Sequence, residues 1–225
     1  LFIGHLAVGF AAKRAAPRTS LGLLIAAPLF LDLLWPFFLL LGWERVRIEP
    51  GATRFTPLAF DHYPWTHSLA MTLVWGALFG GLYYLRTRYR VGALVLGAGV
   101  VSHWVFDWIT HRPDLALWPG STLYTGLGLW NWPAATIVLE MSLFSAGLWL
   151  YLTTTRPLDR IGRWGLALFV VLTLAIYVAN AMGPPPPSAS AVAATALALW
   201  LFPLWLWWAD RHRASVMPPQ ERVHA

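Results

Sequence analysis

Apolar stretches of about twenty residues recur along this chain, and that is the length an α-helix needs to cross ~30 Å of hydrocarbon. Six full candidate spans and one shortened one are read, at residues 1–12, 20–42, 65–85, 91–110, 132–152, 164–181 and 191–209. The 225 residues are 58% hydrophobic and only 12% charged, too little charge to cover a water-soluble surface. The expected fold is therefore all-α: a polytopic transmembrane bundle of about seven helices, occupying residues 1–210, with a polar tail at 211–225. Trp43, Trp65, Trp118, Trp130 and Trp132 fall near span ends, where interfacial aromatics belong. The chain opens at Leu1 without an initiator methionine, so the first helix is expected to be truncated. Lys13 and Arg14 follow its apolar run instead of preceding it, as in a retained helix and not a signal peptide.

Seven spans put alternate loops on opposite sides, and the basic residues then sort unevenly. One side holds Lys13, Arg14, Arg18, Arg86, Arg88, Arg90, Arg156, Arg160, Arg163, Arg211, Arg213 and Arg222; the other holds only Arg45, Arg47, Arg54 and Arg112. This positive-inside bias places the N-terminus outside and the C-terminus inside. Grouping beside apolar segments also explains the formal charge of +6 without nucleic acid. Arginine outnumbers lysine fifteen to one, which points to a GC-rich bacterial genome and hence to a bacterial inner membrane. The prolines at 184–187 read as a stiff outer connector, and no internal repeat of the transporter kind is evident.

In and just after the fourth span, His103, Asp107 and His111 recur every fourth residue and form a ladder on one helix face. At 1.5 Å per residue, His103 stands ~20 Å and Asp107 ~26 Å above Arg90. Asp32 stands ~21 Å above Arg18, Glu140 ~24 Å above Arg156 and His67 ~29 Å above Arg86, with His5 deeper at ~12 Å. Ligands from several helices thus share a layer in the outer half of the membrane. A carboxylate at mid-bilayer costs roughly 2.5–3.5 kcal/mol, and no Lys or Arg lies at that depth to compensate. With no cysteine in the chain, a metal must be held by His, Asp or Glu; zinc suits the imidazoles and manganese the carboxylates. Three carboxylates would be neutralised by two ions with a bound hydroxide, so a di- or trinuclear site is expected.

The quoted residues carry a resemblance. Gly4-His5, Leu31-Asp32-Leu33-Leu34-Trp35-Pro36, Thr66-His67-Ser68 and Ser102-His103-Trp104-Val105-Phe106-Asp107, followed by Thr110-His111-Arg112-Pro113-Asp114, resemble the membrane-bound metal-dependent hydrolases of the YdjM-like family. The motifs cover residues 4–140. Their order is also similar to that of the zinc-dependent phospholipase C and P1 nuclease superfamily. The resemblance implies a cluster of zinc ions splitting a phosphoester. It implies further that His67, His103 and Asp107 hold one metal, that Asp107 bridges to a second held partly by His5, and that Asp32 orients or deprotonates the attacking water. Glu140 stands as the remnant of a later His-x-x-x-Glu of the soluble enzymes.

His111 lies where its helix must end, because Pro113 restricts the residue before it; it either caps carbonyls or binds metal. Arg112 either clamps a substrate phosphate or pairs with Asp114. Asp61 and His62 are expected to shape the start of the third span, while His212 and His224 belong to the tail. The expected function is a membrane-embedded metal-dependent hydrolase acting on a phosphoester of a lipid or other amphiphile. Rival readings are an ion or proton transporter, against which the single depth of the ligands argues, and a metal-binding membrane protein without catalysis. Seven-span ceramidase-like hydrolases place ligands on the last helix, which here has none.

Overall fold

The computed structural model describes residues 1–216, and helices form where the apolar runs predict them. α1 (Ile3–Ala15) leads to α2 (Leu21–Leu40), then to a one-turn α3 (Pro64–His67), α4 (Leu69–Thr87) and α5 (Arg90–Thr110). α6 (Pro133–Thr154), α7 (Arg160–Met182), α8 (Ala189–Leu197) and α9 (Leu201–Asp210) complete the bundle. Among the described residues six helical segments are long and apolar enough to cross a membrane: α2, α4, α5, α6, α7 and the continuous Ala189–Asp210 segment. Its two helices are joined by a 3-10 turn at Ala198–Trp200. α1, with 13 residues, rises only ~20 Å and is the shortened helix of the seven.

Between 17% and 50% of each span is buried inside the bundle, so the remaining apolar surface needs an apolar medium. Leu73, Leu82, Leu94, Val138, Leu168 and Val171 are all exposed on outward faces. Trp43, Trp65, Trp118 and Trp132 are exposed too, whereas Trp130 is buried and covers His111 with ring centroids 4.2 Å apart.

The all-α expectation needs one correction. Antiparallel two-stranded pairs occupy the connections: β1 (Arg45–Ile48) with β2 (Leu58–His62), β3 (Leu115–Ala116) with β4 (Tyr124–Thr125), and β5 (Thr155–Pro157) with β6 (Arg213–Ser215). These loops fold back over the helix ends and bury Ala59 and Leu115 completely. Covered backbone must find partners, and strand pairing supplies them. For the same reason the segment read as a polar tail is tied down as far as Ser215. His212 donates from Nδ1 to Asp159 Oδ2 at 2.7 Å, and Asp159 also caps α7 by accepting from Gly162 N. Arg222 and His224 lie outside the described residues.

α1 is wedged among α2, α5, α6 and α7, with Ile3, Leu6 and Phe10 fully buried. The wedge closes because two glycines let backbones touch. A Cβ on Gly9 would lie 2.6 Å from the Leu24 carbonyl oxygen, and one on Gly147 would lie 2.3 Å from that of Ala7. Small residues at such crossings drive helix association where lipid removes the hydrophobic gradient. α4 and α5 cross in the same way at Gly80 and Gly97, while Gly81 faces open space.

At the end of the bundle opposite β1 and β2, a buried ion pair ties four elements together. Lys13 Nζ donates to Asp210 Oδ2 at 2.7 Å and to the Thr19 carbonyl at 3.0 Å. Tyr151 Oη donates to Asp210 Oδ1 at 2.8 Å, and Leu21 N to Oδ2 at 2.9 Å. Removing one partner of such a pair leaves the other charge buried and alone, which costs about 3–5 kcal/mol. Asp210→Ala should therefore lower the melting temperature in detergent by several degrees, and the double change Lys13→Met/Asp210→Leu should recover part of the loss. An Asp210→Ala protein melting with the wild type would show that the pair does not hold α1 to α9.

Candidate metal centre

α5 carries His103 and Asp107 one turn apart, facing inward. α1 brings His5 beside them: the two imidazole rings stack at 3.8 Å and 5°. α2 contributes Asp32. His67 arrives on α3, which Pro64 starts and which breaks at Ser68, whose extended backbone and side chain cap the separate α4. This break turns His67 toward α2 and α5.

Two groups of ligand atoms lie within 4.8 Å of one another: His5, His103 and Asp107, and Asp32, His67 and His103. Asp107 Oδ2 is 2.9 Å from His103 Nε2, 3.8 Å from His111 Nε2 and 3.9 Å from His67 Nε2; Asp107 Oδ1 is 3.1 Å from His5 Nε2. Asp32 Oδ1 is 3.5 Å from His67 Nε2 and 3.8 Å from His103 Nε2. Ligand atoms ~2.1 Å from a tetrahedral ion stand roughly 3.4 Å apart, so these separations bracket the spacing of a shared cation. The Leu1 nitrogen also lies 2.8 Å from Asp107 Oδ1.

Proton bookkeeping on the imidazoles is more decisive than distance. His103 Nδ1 lies 2.7 Å from the Pro28 carbonyl oxygen; a carbonyl only accepts, so Nδ1 carries the hydrogen. In its neutral form the ring turns an Nε2 lone pair toward Asp107 and Asp32, and that buried atom has no hydrogen-bond partner. Thr66 Oγ1 donates to Glu44 Oε2 at 2.7 Å, and Thr66 N donates to Oε1 at 2.8 Å. With its proton committed, Thr66 Oγ1 accepts from His67 Nδ1 at 2.6 Å. His111 Nδ1 is 3.0 Å from Asp114 Oδ1, which also accepts from the Tyr63 hydroxyl at 2.6 Å. Burial, with Asp114 beside it, pushes that hydroxyl well above its usual range and keeps it a donor. Burial likewise raises the Glu44 carboxyl from its ordinary value, opposed by His67 and the Thr66 donors.

Three imidazoles are thus pinned outward through Nδ1 and face Asp107 through Nε2. This is how protein metal sites fix the tautomer and orientation of their histidines. Lone pairs aimed at carboxylates repel unless a proton or a cation lies between them. The donor set therefore fits a divalent ion, and the atoms close enough to share one are those of His5, His103 and Asp107 or of Asp32, His67 and His103.

Other expected site residues take different places. Glu140 Oε2 accepts from Phe2 N at 2.9 Å and Gly4 N at 3.1 Å, satisfying the N-terminal donors of α1. It belongs to neither ligand group, so two carboxylates stand at the cluster where three were expected, and the charge argument for two ions falls away. Arg112 Nε lies 3.4 Å from Asp114 Oδ2 at the rim, with its side chain about one-third exposed (35%). His111 joins the outer side of the cluster. Sequence reasoning missed Glu44, the Pro28 carbonyl and the roles of Tyr63 and Asp114. Thr66 was visible in the Thr-His-Ser run, but nothing in the spacing joins Glu44 to a residue 22 positions later.

Access differs among the ligands. The side chain of Asp32 is 26% exposed while that of His103 is sealed. His67 also lines a cavity of about 220 Å³ beneath the loops, with Asp61, Tyr63, Asp114, Ser121 and Tyr124.

The hydroxyl of Thr66 makes a specific test of this arrangement. Thr66→Val keeps the shape but cuts the link from His67 to Glu44, and loss of such an outer partner weakens metal affinity by about 10–100-fold. Thr66→Ser should bind as the wild type does. Chelator competition on the purified proteins reads the difference, and equal affinity for the valine variant would remove Glu44 and Thr66 from the site.

Compared with family models, with curated proteins and with solved structures, the chain finds no match, so nothing there links it to the hydrolases its motifs resemble.

Proposed function

We propose that this chain is a membrane-embedded, metal-dependent hydrolase acting on a phosphoester of a lipid or other amphiphile. The observation carrying the reading is the outward pinning of His67, His103 and His111, which leaves Nε2 atoms converging on Asp107 and Asp32. A relay of proton carriers would extend through the bundle, whereas these groups gather at one level. The order of motifs resembling the YdjM-like hydrolases and the zinc-dependent phospholipase C group points the same way.

A divalent ion, when bound, lowers the pKa of a coordinated water toward ~7 and polarises a phosphoryl oxygen. The chain's residues do the rest. His67, His103 and Asp107 would hold the ion, with His5 stacked on His103. Asp32, the most open carboxylate, accepts the proton of the attacking water. Arg112 at the rim meets a phosphate oxygen by exchanging its loose contact with Asp114. One ion is charge-balanced by Asp32 and Asp107, and zinc suits the imidazole-rich set better than manganese. In this reading, which rests on the positive-inside bias of the basic loops, the N-terminus lies outside, the C-terminus inside and the site toward the outer face of a bacterial inner membrane.

Elemental analysis of detergent-purified protein should find about one divalent ion per chain, and only a trace in His103→Ala/Asp107→Ala; equal metal in both would sink the site. Asp32→Asn should slow cleavage of a chromogenic phosphodiester in mixed micelles by about 10²–10⁴-fold, the range for loss of a general base. Turnover unchanged in that variant would assign the proton to another group. Because the chain has no cysteine, Leu123→Cys, on an exposed loop position, gives a single label site. It should react with an impermeant maleimide from the outer face of cells, and reaction only after lysis would invert the orientation.

A further inference from the structure

A second concavity, of about 650 Å³, lies between the C-terminal end of α2, β1 and the start of α8, lined by Leu39, Leu40, Arg45, Arg47, Asp61 and Ala193 among others. Its volume is in the range of small-ligand pockets. It opens at the end of a membrane-length helix, where Leu40, Leu41 and Trp43 are all more than half exposed. Aromatic and aliphatic side chains at that level face the headgroup zone of a bilayer.

The charges of the groove are largely spoken for, except one. Arg47 is held by Asp61 through two hydrogen bonds, at 2.5 and 3.0 Å, and by Glu49 at 3.2 Å. Glu44 is buried and accepts from the Thr66 hydroxyl and backbone N–H. Arg45 is exposed, its side chain forms no ion pair or hydrogen bond among the described residues, and Asp61 reaches it only at longer range. A planar guanidinium without a partner, beside an apolar wall, complements the phosphodiester and chain of an amphiphile.

We propose that this groove holds one membrane phospholipid, with its phosphodiester on Arg45 and the upper part of an acyl chain along Leu39, Leu40 and Ala193. The groove and the cavity at His67 share Asp61 in their walls, and Glu44 at the groove is hydrogen-bonded through Thr66 to His67. The groove as the substrate's way to the metal centre rests on the hydrolase reading, whereas occupancy by lipid does not.

The test compares acyl-labelled phosphatidylcholine with acyl-labelled diacylglycerol, which lacks the phosphodiester, binding to detergent-purified full chain. The wild type should bind the phospholipid about five- to tenfold more tightly. Arg45→Gln should bind both lipids as weakly as diacylglycerol, while Arg45→Lys keeps part of the preference. Ser190→Trp, which fills the groove from an exposed position, should weaken both. An undiminished preference in Arg45→Gln, unaltered binding in Ser190→Trp, or displacement of the label by millimolar inorganic phosphate would overturn the proposal. Metal analysis reads the hydrolase reading separately, so either can fail alone.

Discussion

A carboxylate deep in a medium that cannot hydrate it must be given positive partners, and Asp107 is the place where this molecule meets that demand. His5, His67, His103 and His111 arrive from α1, α3, α5 and the turn after α5, and all place Nε2 within 3.9 Å of its two oxygens. Neutral imidazoles alone do not satisfy it. Because the outer nitrogens of three rings are already donating elsewhere, the inner ones present lone pairs to an acceptor. A cation in their midst would turn that repulsion into ligation.

The scaffold is arranged to bring α1 close enough for His5 to take part. α1 is held by contact with its neighbours. Gly9 and Gly147 remove the side chains that would hold α2 and α6 away. Glu140 accepts the free N–H groups at one end, and Lys13 finds Asp210 at the other. Two buried side chains, Glu140 and Lys13, are thus used to seat the helix that carries His5.

The connections between helices do more than join them. The β1–β2 hairpin sets Glu44 over Thr66, and the loop after α5 sets Asp114 and Trp130 against His111. Each imidazole that faces the cluster from this side is oriented by a residue outside the membrane-length helices. The same hairpin leaves Arg45 exposed beside the end of α2, so the element that orients a ligand also shapes the groove at the bilayer boundary.

The six membrane-length helices and the i, i+4 placement of His103 and Asp107 were legible in the chain, because apolar length and helical period are local properties. The gathering of Asp32 and His67 at that level could be reckoned from helix rise alone. What the sequence could not show is which polar group answers which. Glu140 shares the depth of the ligands, yet it turns to the end of α1, a choice made by how α1 packs on α6. Glu44, outside every apolar run and 22 residues from its partner Thr66, becomes part of the site only when the hairpin folds over α3. Depth is written in one dimension and can be counted along a helix; the pairing of donors with acceptors depends on rotation and contact between helices, and the tertiary structure alone decides it.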